Sequence, residues 1–158
     1  MIHGGGWLED HDLSYFQPLS ASLAEEGVAV WNVEYRRVDG AGGWPVTLAD
    51  VDDATETLAT VVQEKADNRL DLDRVHLAGH SAGGHLPIGL PVTALHGDND
   101  QTVSIDQSRN YTAAAVAVGD PAQLQVLPGT GHGDFGNPDS AAWATAREAI
   151  LGHVGTVD

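Results

Sequence analysis

The sequence predicts an α/β protein in which a mostly parallel sheet lies between helices, in three α/β/α layers. Short apolar segments alternate along the chain with longer segments of helical periodicity, and this alternation is typical of βαβ units. Polar, glycine-containing turns follow three of the apolar segments, at the strand ends where open parallel sheets build their sites. The chain has 158 residues, the length of one domain, so we expect a single domain over residues 1–158.

Periodicity and turn residues define the predicted elements. In residues 14–26, Phe16, Leu19 and Leu23 are spaced for one helical face. The predicted helices cover residues 14–26, 48–66, 104–118 and 141–151. The predicted strands cover residues 28–35, 75–78, 92–96 and 124–127, the second of them as a short buried strand.

Composition and charge exclude several functional classes. The chain carries 7 basic and 23 acidic residues, a net charge of −16, which repels phosphate backbones and argues against nucleic acid as a partner. The absence of cysteine excludes disulfides, thiolate metal sites and cysteine nucleophiles. No apolar run reaches the roughly 18 residues that span a bilayer, and the first residues do not resemble a signal peptide. We therefore expect a cytoplasmic protein with no membrane contact.

The clearest chemical motif is Gly-His-Ser-Ala-Gly at residues 79–83. It matches G-x-S-x-G and follows a predicted strand, which is the context that this nucleophile turn requires. A serine hydroxyl is a poor nucleophile until a base removes its proton. Ser81 is therefore the candidate nucleophile, and a base must be found elsewhere in the chain.

A second motif, His-Gly-Gly-Gly-Trp, occupies residues 3–7. Consecutive glycines leave backbone N–H groups able to point at a developing oxyanion. In the HGGG-type loop these donors act together with the N–H of the residue after the nucleophile. The candidate oxyanion donors are therefore Gly5, Gly6 and Ala82.

Two further turns supply a candidate acid and a candidate base. Asp98 and Asp100 follow the strand at residues 92–96, and either could orient a histidine. His132 lies in a glycine-rich turn after the last strand. The chain order serine, aspartate, histidine is that of the α/β-hydrolase triad. A metal site built on His76, His80 and His85 is disfavoured, because their spacing matches no ligand motif.

The motifs together resemble bacterial α/β-hydrolases of the esterase/lipase group. The similarity is to acetyl-xylan/feruloyl esterase-like, kynurenine-formamidase-like and prolyl-oligopeptidase-like catalytic domains. It is carried by residues 3–7, 32–37, 43–45 followed by 50–51, 79–85, 95–97 with Asp100 and Val103, and 129–132. The resemblance implies Ser81 as nucleophile, His132 as base, and Asp100 rather than Asp98 as acid. It gives the Tyr-Arg-Arg segment at residues 35–37 a structural role.

The chain also departs from that family. In the family a full strand leads into the HGGG loop, whereas here only Met1 and Ile2 precede it. Only residues 85–90 separate Gly84 from Pro91, where the family has a complete nucleophile helix, a further strand and often a cap. We therefore expect a truncated α/β-hydrolase fold that lacks N-terminal strands and the cap or central segment. Its exposed sheet edges would be open to homo-oligomer formation.

These observations predict a serine hydrolase that cleaves small carboxylic esters without a cofactor or metal. An open site without a cap favours short, soluble acyl groups. Two alternatives stay open at this point. The same triad could serve an amidase, an arylformamidase or a peptidase, or the chain could be a catalytically incompetent remnant that acts only as a binding or interaction domain.

Overall fold

The computed structural model describes residues 1–85 and 91–155. These residues form two compact units. The described part of the first unit is residues 1–85 with 151–155, and that of the second is residues 91–150. The single-domain organisation expected from the sequence stays a prediction, and each unit is described by itself.

Four of the seven α-helices and strands belong wholly or mainly to the second unit. The helices are α1 (Gln17–Glu25), α2 (Val46–Thr57), α3 (Gln63–Lys65), α4 (Ile105–Ala117) and α5 (Ala141–Val154), and the strands are β1 (Val92–Gly97) and β2 (Ala122–Leu127). Short 3-10 helices cover Leu13–Phe16, Leu72–Arg74, Ser81–His85 and His132–Gly136, and a π-helical turn covers Leu58–Val62.

The first unit contains a rudimentary parallel sheet centred on Ile2. Ile2 forms parallel bridges to Val33 on one side and to Gly79 on the other. The Ile2 N–H donates to the Ala78 carbonyl over 2.8 Å, and the His80 N–H donates to the Ile2 carbonyl over 3.3 Å. These bonds place the residues that follow Ile2 beside the turn that follows Gly79.

Two predicted strands of the first unit are much reduced. Residues 28–35 are extended, with a single bridge at Val33, and residues 75–78 form no strand. The expectation that residues 75–78 are buried is wrong at Val75, whose residue surface is 41% exposed. These two segments do not form full strands because the N-terminal segment between them forms its bridges through Ile2 alone. A single bridge on each side gives neither segment a continuous ladder of hydrogen bonds.

The helices of the first unit supply most of its apolar core. The predicted face of Phe16, Leu19 and Leu23 is confirmed, since each is at most 2% exposed. Pro18 stands in the first turn of α1, where its missing N–H costs no helical hydrogen bond. The core of the first unit consists of Ile2, Phe16, Leu19, Leu23, Tyr35, Val51 and Ala82.

The second unit is a β-α-β unit with a parallel two-stranded sheet. β1 and β2 pair in register from Val92 opposite Ala122 to Gly97 opposite Leu127. α4 connects them and packs on both strands, and the Ser104 hydroxyl caps its first turn by accepting the Asp106 N–H. Ala142 and Trp143 of α5 are its buried apolar residues within the described chain. The predicted strands and helices of this half are confirmed to within a few residues at their ends.

Candidate active site

The candidate nucleophile lies on a strained turn. Ser81 has a φ of 52°, in the left-handed region that residues other than glycine rarely adopt. It follows the parallel bridge at Gly79 and begins the 3-10 helix Ser81–His85. A side chain on this kind of sharp turn projects away from the backbone, as the nucleophile elbow requires. The truncation of the nucleophile helix that the sequence predicts after this turn falls at residues 86–90, outside the described residues.

The glycine loop packs directly against this turn. A Cβ atom added to Gly83 would collide with the carbonyl oxygens of Ile2 and His3, and one added to Gly4 would lie 2.9 Å from the His80 carbonyl oxygen and 3.2 Å from the Ser81 Cβ. Glycine is therefore required on both sides for the two backbones to approach so closely. The sequence motif thus has a steric basis at Gly4 and Gly83.

Three backbone donors in this region match the predicted oxyanion set. Gly5 and Gly6 have φ values of 108° and 63°, a conformation that only glycine adopts readily. Among the described residues, the N–H groups of Gly5, Gly6 and Ala82 donate no hydrogen bond. Ala82 is 2% exposed. Unpaired donors beside a nucleophile are what an oxyanion site needs, and their role stays a prediction.

A buried histidine anchors the glycine loop. His3 is fully buried and stacks on Tyr35 with a centroid separation of 4.3 Å. Its Nε2 lies 2.9 Å from Glu34 Oε1, and its Nδ1 lies 2.8 Å from the Gly4 carbonyl oxygen. The Tyr35 hydroxyl donates to the His3 carbonyl over 2.9 Å. Contacts of the His3 ring and of the His3 carbonyl therefore both fix the glycine loop.

Glu34 is a supporting residue that the sequence analysis missed. Its carboxylate accepts the N–H groups of Leu13 and Tyr35 and also pairs with Arg37. Burial alone would raise the pKa of Glu34, but hydrogen bonds from the Leu13 N–H, His3 and the Tyr35 N–H hold this pKa below its ordinary value. The carboxylate is therefore charged at neutral pH. The signal available in the sequence was its position in the Glu-Tyr-Arg-Arg segment that carries the family resemblance.

Tyr35 is the second support of the loop. It is 2% exposed, and burial, with the Glu34 charge beside it, raises the pKa of its hydroxyl to about 12. The hydroxyl is thus protonated at neutral pH and can donate to the His3 carbonyl. The structural role expected for Tyr35 fits this position.

The candidate acid and base are in contact in the second unit. Asp100 Oδ2 lies 2.7 Å from His132 Nδ1. Asp100 Oδ1 accepts the N–H groups of Thr102 and Val103, both over 2.8 Å. Burial would raise the pKa of Asp100, yet the bonds from Val103, His132 and Thr102 hold it below its ordinary value. The carboxylate is charged, so it orients the ring and can stabilise the imidazolium that forms when the ring takes a proton.

Asp98 has a different position. Its Oδ1 accepts the Gly129 N–H over 2.6 Å, which ties the turn after β1 to the turn after β2. Asp100, and not Asp98, therefore contacts His132. The 3-10 helix His132–Gly136 begins at the candidate base, so the ring is carried on a fixed backbone rather than on an open glycine loop.

The remaining histidines named in the metal alternative contact different aromatic rings. His76 stacks on His153, His80 contacts Tyr15, and His85 stacks on Trp7. Within the described ranges, no three His, Asp or Glu side chains gather as metal ligands. In residues 1–85 and 91–155, no helix combines the length and apolar character needed to cross a bilayer.

A family model matches the chain over residues 1–90, more than half of its length. The chain belongs to the BD-FAE family. The matched part of this BD-FAE chain contains the glycine loop and the Ser81 turn, while Asp100 and His132 lie beyond it. No curated protein matches the chain in sequence.

Solved esterases share the fold of this BD-FAE chain. One is an esterase from Thermogutta terrifontis with propionate bound, at a TM-score of 0.74 and 19% identity over 99% of this chain and 82% of that one. The structure of the same esterase phosphorylated by paraoxon has a TM-score of 0.69 and 22% identity over 99% of this chain and 82% of that one. The truncated form of a carbohydrate esterase from gut microbiota has a TM-score of 0.74 and 17% identity over 97% of this chain and 84% of that one. The predicted α/β-hydrolase fold is confirmed, and at these identities the likeness extends to the fold alone.

Proposed function

We propose that the protein is a serine esterase that cleaves small carboxylic esters through an acyl-enzyme on Ser81. His132 is the general base and Asp100 the acid that orients it. The N–H groups of Gly5, Gly6 and Ala82 bind the oxyanion.

The reaction has two balanced halves. The Ser81 oxygen attacks the ester carbonyl while His132 takes the hydroxyl proton, and His132 then returns that proton to the departing alcohol. In the second half a water molecule attacks the acyl-enzyme. His132 takes the proton of the water and returns it to Ser81 as the carboxylic acid leaves. Apart from the ester and this water molecule, both halves use only groups of the chain.

The observation that carries the proposal is the 2.7 Å contact between Asp100 Oδ2 and His132 Nδ1. A carboxylate can only accept, so Nδ1 holds the proton and Nε2 is the basic nitrogen of the neutral ring. This tautomer is the one that general-base catalysis requires. The strained turn at Ser81 and the donors beside it supply the complementary half of the chemistry.

The comparisons support an ester as the substrate. The similar structures are those of esterases, and one of them was solved with propionate, a short carboxylate of the size that the proposal assigns to the acyl group. Another was phosphorylated by paraoxon. Paraoxon, an activated phosphate ester, is therefore a suitable probe of Ser81 in this chain.

The test compares the parent with Ser81→Ala and with Ser20→Ala as a matched control. The Ser20 hydroxyl is buried and has no hydrogen-bond partner among the described residues, so its removal should leave the fold intact. With p-nitrophenyl acetate, we expect turnover by the parent and by Ser20→Ala, and a loss of about 10³-fold or more in Ser81→Ala. Paraoxon should add one diethylphosphoryl group to the parent, located at Ser81 by peptide mass spectrometry.

Equal rates in the parent and Ser81→Ala, or labelling at another residue, would contradict the proposal. An aryl formamide assayed in parallel separates the ester and amide forms of the hypothesis. We expect the acetate ester to be the better substrate, and a higher kcat/KM for the formamide would instead identify an amidase.

A further inference from the structure

The turn that carries Asp100 has a second buried histidine beneath it. His96 lies near the end of β1, and its side chain is 8% exposed. Its Nε2 lies 3.1 Å from the Val103 carbonyl oxygen and 3.4 Å from Asp100 Oδ2. Its Nδ1 lies 2.7 Å from the Ser108 hydroxyl on α4. The mechanism above does not use this ring.

These contacts fix which nitrogen of His96 carries the proton. The Val103 carbonyl can only accept, so Nε2 donates to it. In the neutral ring Nδ1 is then an acceptor, and the Ser108 hydroxyl is its donor. The Val103 carbonyl thereby selects the tautomer of His96, and Ser108 holds the ring in place by donating to its second nitrogen.

Val103 links His96 to the candidate acid through its two backbone groups. Its N–H donates to Asp100 Oδ1 over 2.8 Å, and its carbonyl accepts from His96. His96 therefore anchors Val103 at its carbonyl, while the N–H on the other side of the same residue binds one carboxylate oxygen and the Nε2–H of His96 lies beside the other oxygen. Because the side chain of Asp100 is only 5% exposed, water contributes little to its orientation and these protein contacts determine it.

We propose that His96, held by Ser108, is a positioning residue that sets the orientation of Asp100 toward His132. This inference rests on the proposed function, because it assigns Asp100 the role of catalytic acid. His96 itself touches no reacting atom and acts through Asp100 and Val103.

The kinetic test uses Ser108→Ala, which keeps the His96 ring and leaves its Nδ1 without its donor. Asn110→Ala, at an exposed position of the same helix, is the matched control. We expect Ser108→Ala to lower kcat for p-nitrophenyl acetate by about tenfold, within the roughly 100-fold that a 1 Å misplacement costs, with KM unchanged. His96→Leu should lose at least as much, and His96→Gln, which can place an N–H near that of Nε2, should recover part of the loss.

Coupling to Asp100 separates positioning from a merely structural role. If His96 acts through Asp100, Ser108→Ala should have little further effect on kcat in an Asp100→Asn background. The same fold-loss in both backgrounds would overturn the inference.

A readout that needs no activity keeps this inference distinct from the proposed function. In protein labelled with ¹⁵N-histidine, the ring nitrogen shifts of His132 report its tautomer, with assignment by their loss in His132→Gln. At alkaline pH we expect the Nδ1–H tautomer in the parent and in Asn110→Ala, and a mixture of tautomers in Ser108→Ala. An unchanged tautomer in both Ser108→Ala and His96→Leu would overturn the positioning role. Absence of Ser81-dependent turnover would overturn the proposed function while the ring shifts still test His96.

Discussion

The two units hold their candidate catalytic residues in different ways. The first unit packs the glycine loop and the Ser81 turn against an apolar core in which Ile2, Leu19 and Leu23 are at most 1% exposed. The second unit fixes the candidate acid and base mainly through polar contacts to Asp100. In its described part, Ala142 and Trp143 are the buried apolar residues.

This difference predicts different responses to substitution. Apolar burial is non-directional and is shared among many contacts, so a packed backbone tolerates the loss of one polar group. A hydrogen-bonded carboxylate depends on individual donors, and the loss of one donor or acceptor changes its orientation. Single polar substitutions should therefore have the larger effect on activity in the second unit.

The largest expected effect is that of Asp100→Asn. The amide cannot accept two N–H groups and also impose the Nδ1–H tautomer on His132, so we expect kcat for an activated ester to fall by about 10⁴-fold. Asp98→Asn keeps an oxygen that can accept the Gly129 N–H. Since one hydrogen bond contributes about 1 kcal/mol, its effect should stay below about tenfold. Similar losses in the two variants, measured by steady-state kinetics, would show that position in the turn matters more than contact with His132.

A smaller loss is expected from Glu34→Gln in the first unit. The amide nitrogen replaces an oxygen that accepts from His3 or the backbone, so the glycine loop should shift and kcat should fall, up to the roughly 100-fold that a 1 Å misplacement costs. Glu9→Gln is the control, because Glu9 contacts Arg37 but not His3. A loss for Glu34→Gln as large as that for Asp100→Asn would break the proposed contrast between the two units.

The smallest effect concerns stability at alkaline pH. The Tyr35 pKa is raised from 10.0 to about 12 in the folded protein, so its contribution is complete below pH 10 and is lost as the pH rises through the folded value. At about pH 11 the parent should have lost roughly 1.4 kcal/mol of unfolding free energy relative to Tyr35→Phe. Urea titrations of both proteins at a series of pH values measure the difference. If the unfolding free energies of the two proteins changed with pH in parallel, Tyr35 would titrate in the folded protein as it does in the unfolded chain.

The sequence predicted the second unit better than the first. The strands and helices after residue 91 fall close to their predicted ranges, because Ser104 caps α4 and because β1 and β2 have each other as partners. The β-branched and aromatic residues at 28–35 predict a strand equally well, yet strand formation also needs a partner ladder, and Ile2 supplies a single bridge. The local sequence pattern therefore identified the strand segments, but it could not predict how many residues of each segment would pair with a neighbouring strand.

The candidate site also contains residues that local pattern predicts and residues that it does not. Motifs and chain order predict roles for Ser81, Asp100 and His132, because each follows a predicted strand in a recognisable turn. Glu34 and His96 were not found as supports. Their functions depend on contacts with residues 31 positions away at His3 and 12 positions away at Ser108, which no local pattern encodes.

The distribution of tryptophan makes the two units optically distinguishable. Trp143 is the one tryptophan of the second unit and is 4% exposed, whereas Trp7, Trp31 and Trp44 belong to the first unit, with Trp44 84% exposed. A Trp44→Phe protein would remove the water-exposed emitter and leave Trp143 as the most deeply buried one. Its fluorescence maximum should then move to longer wavelength when the second unit opens. The chain thus contains a fluorescent reporter within the unit that holds Asp100 and His132.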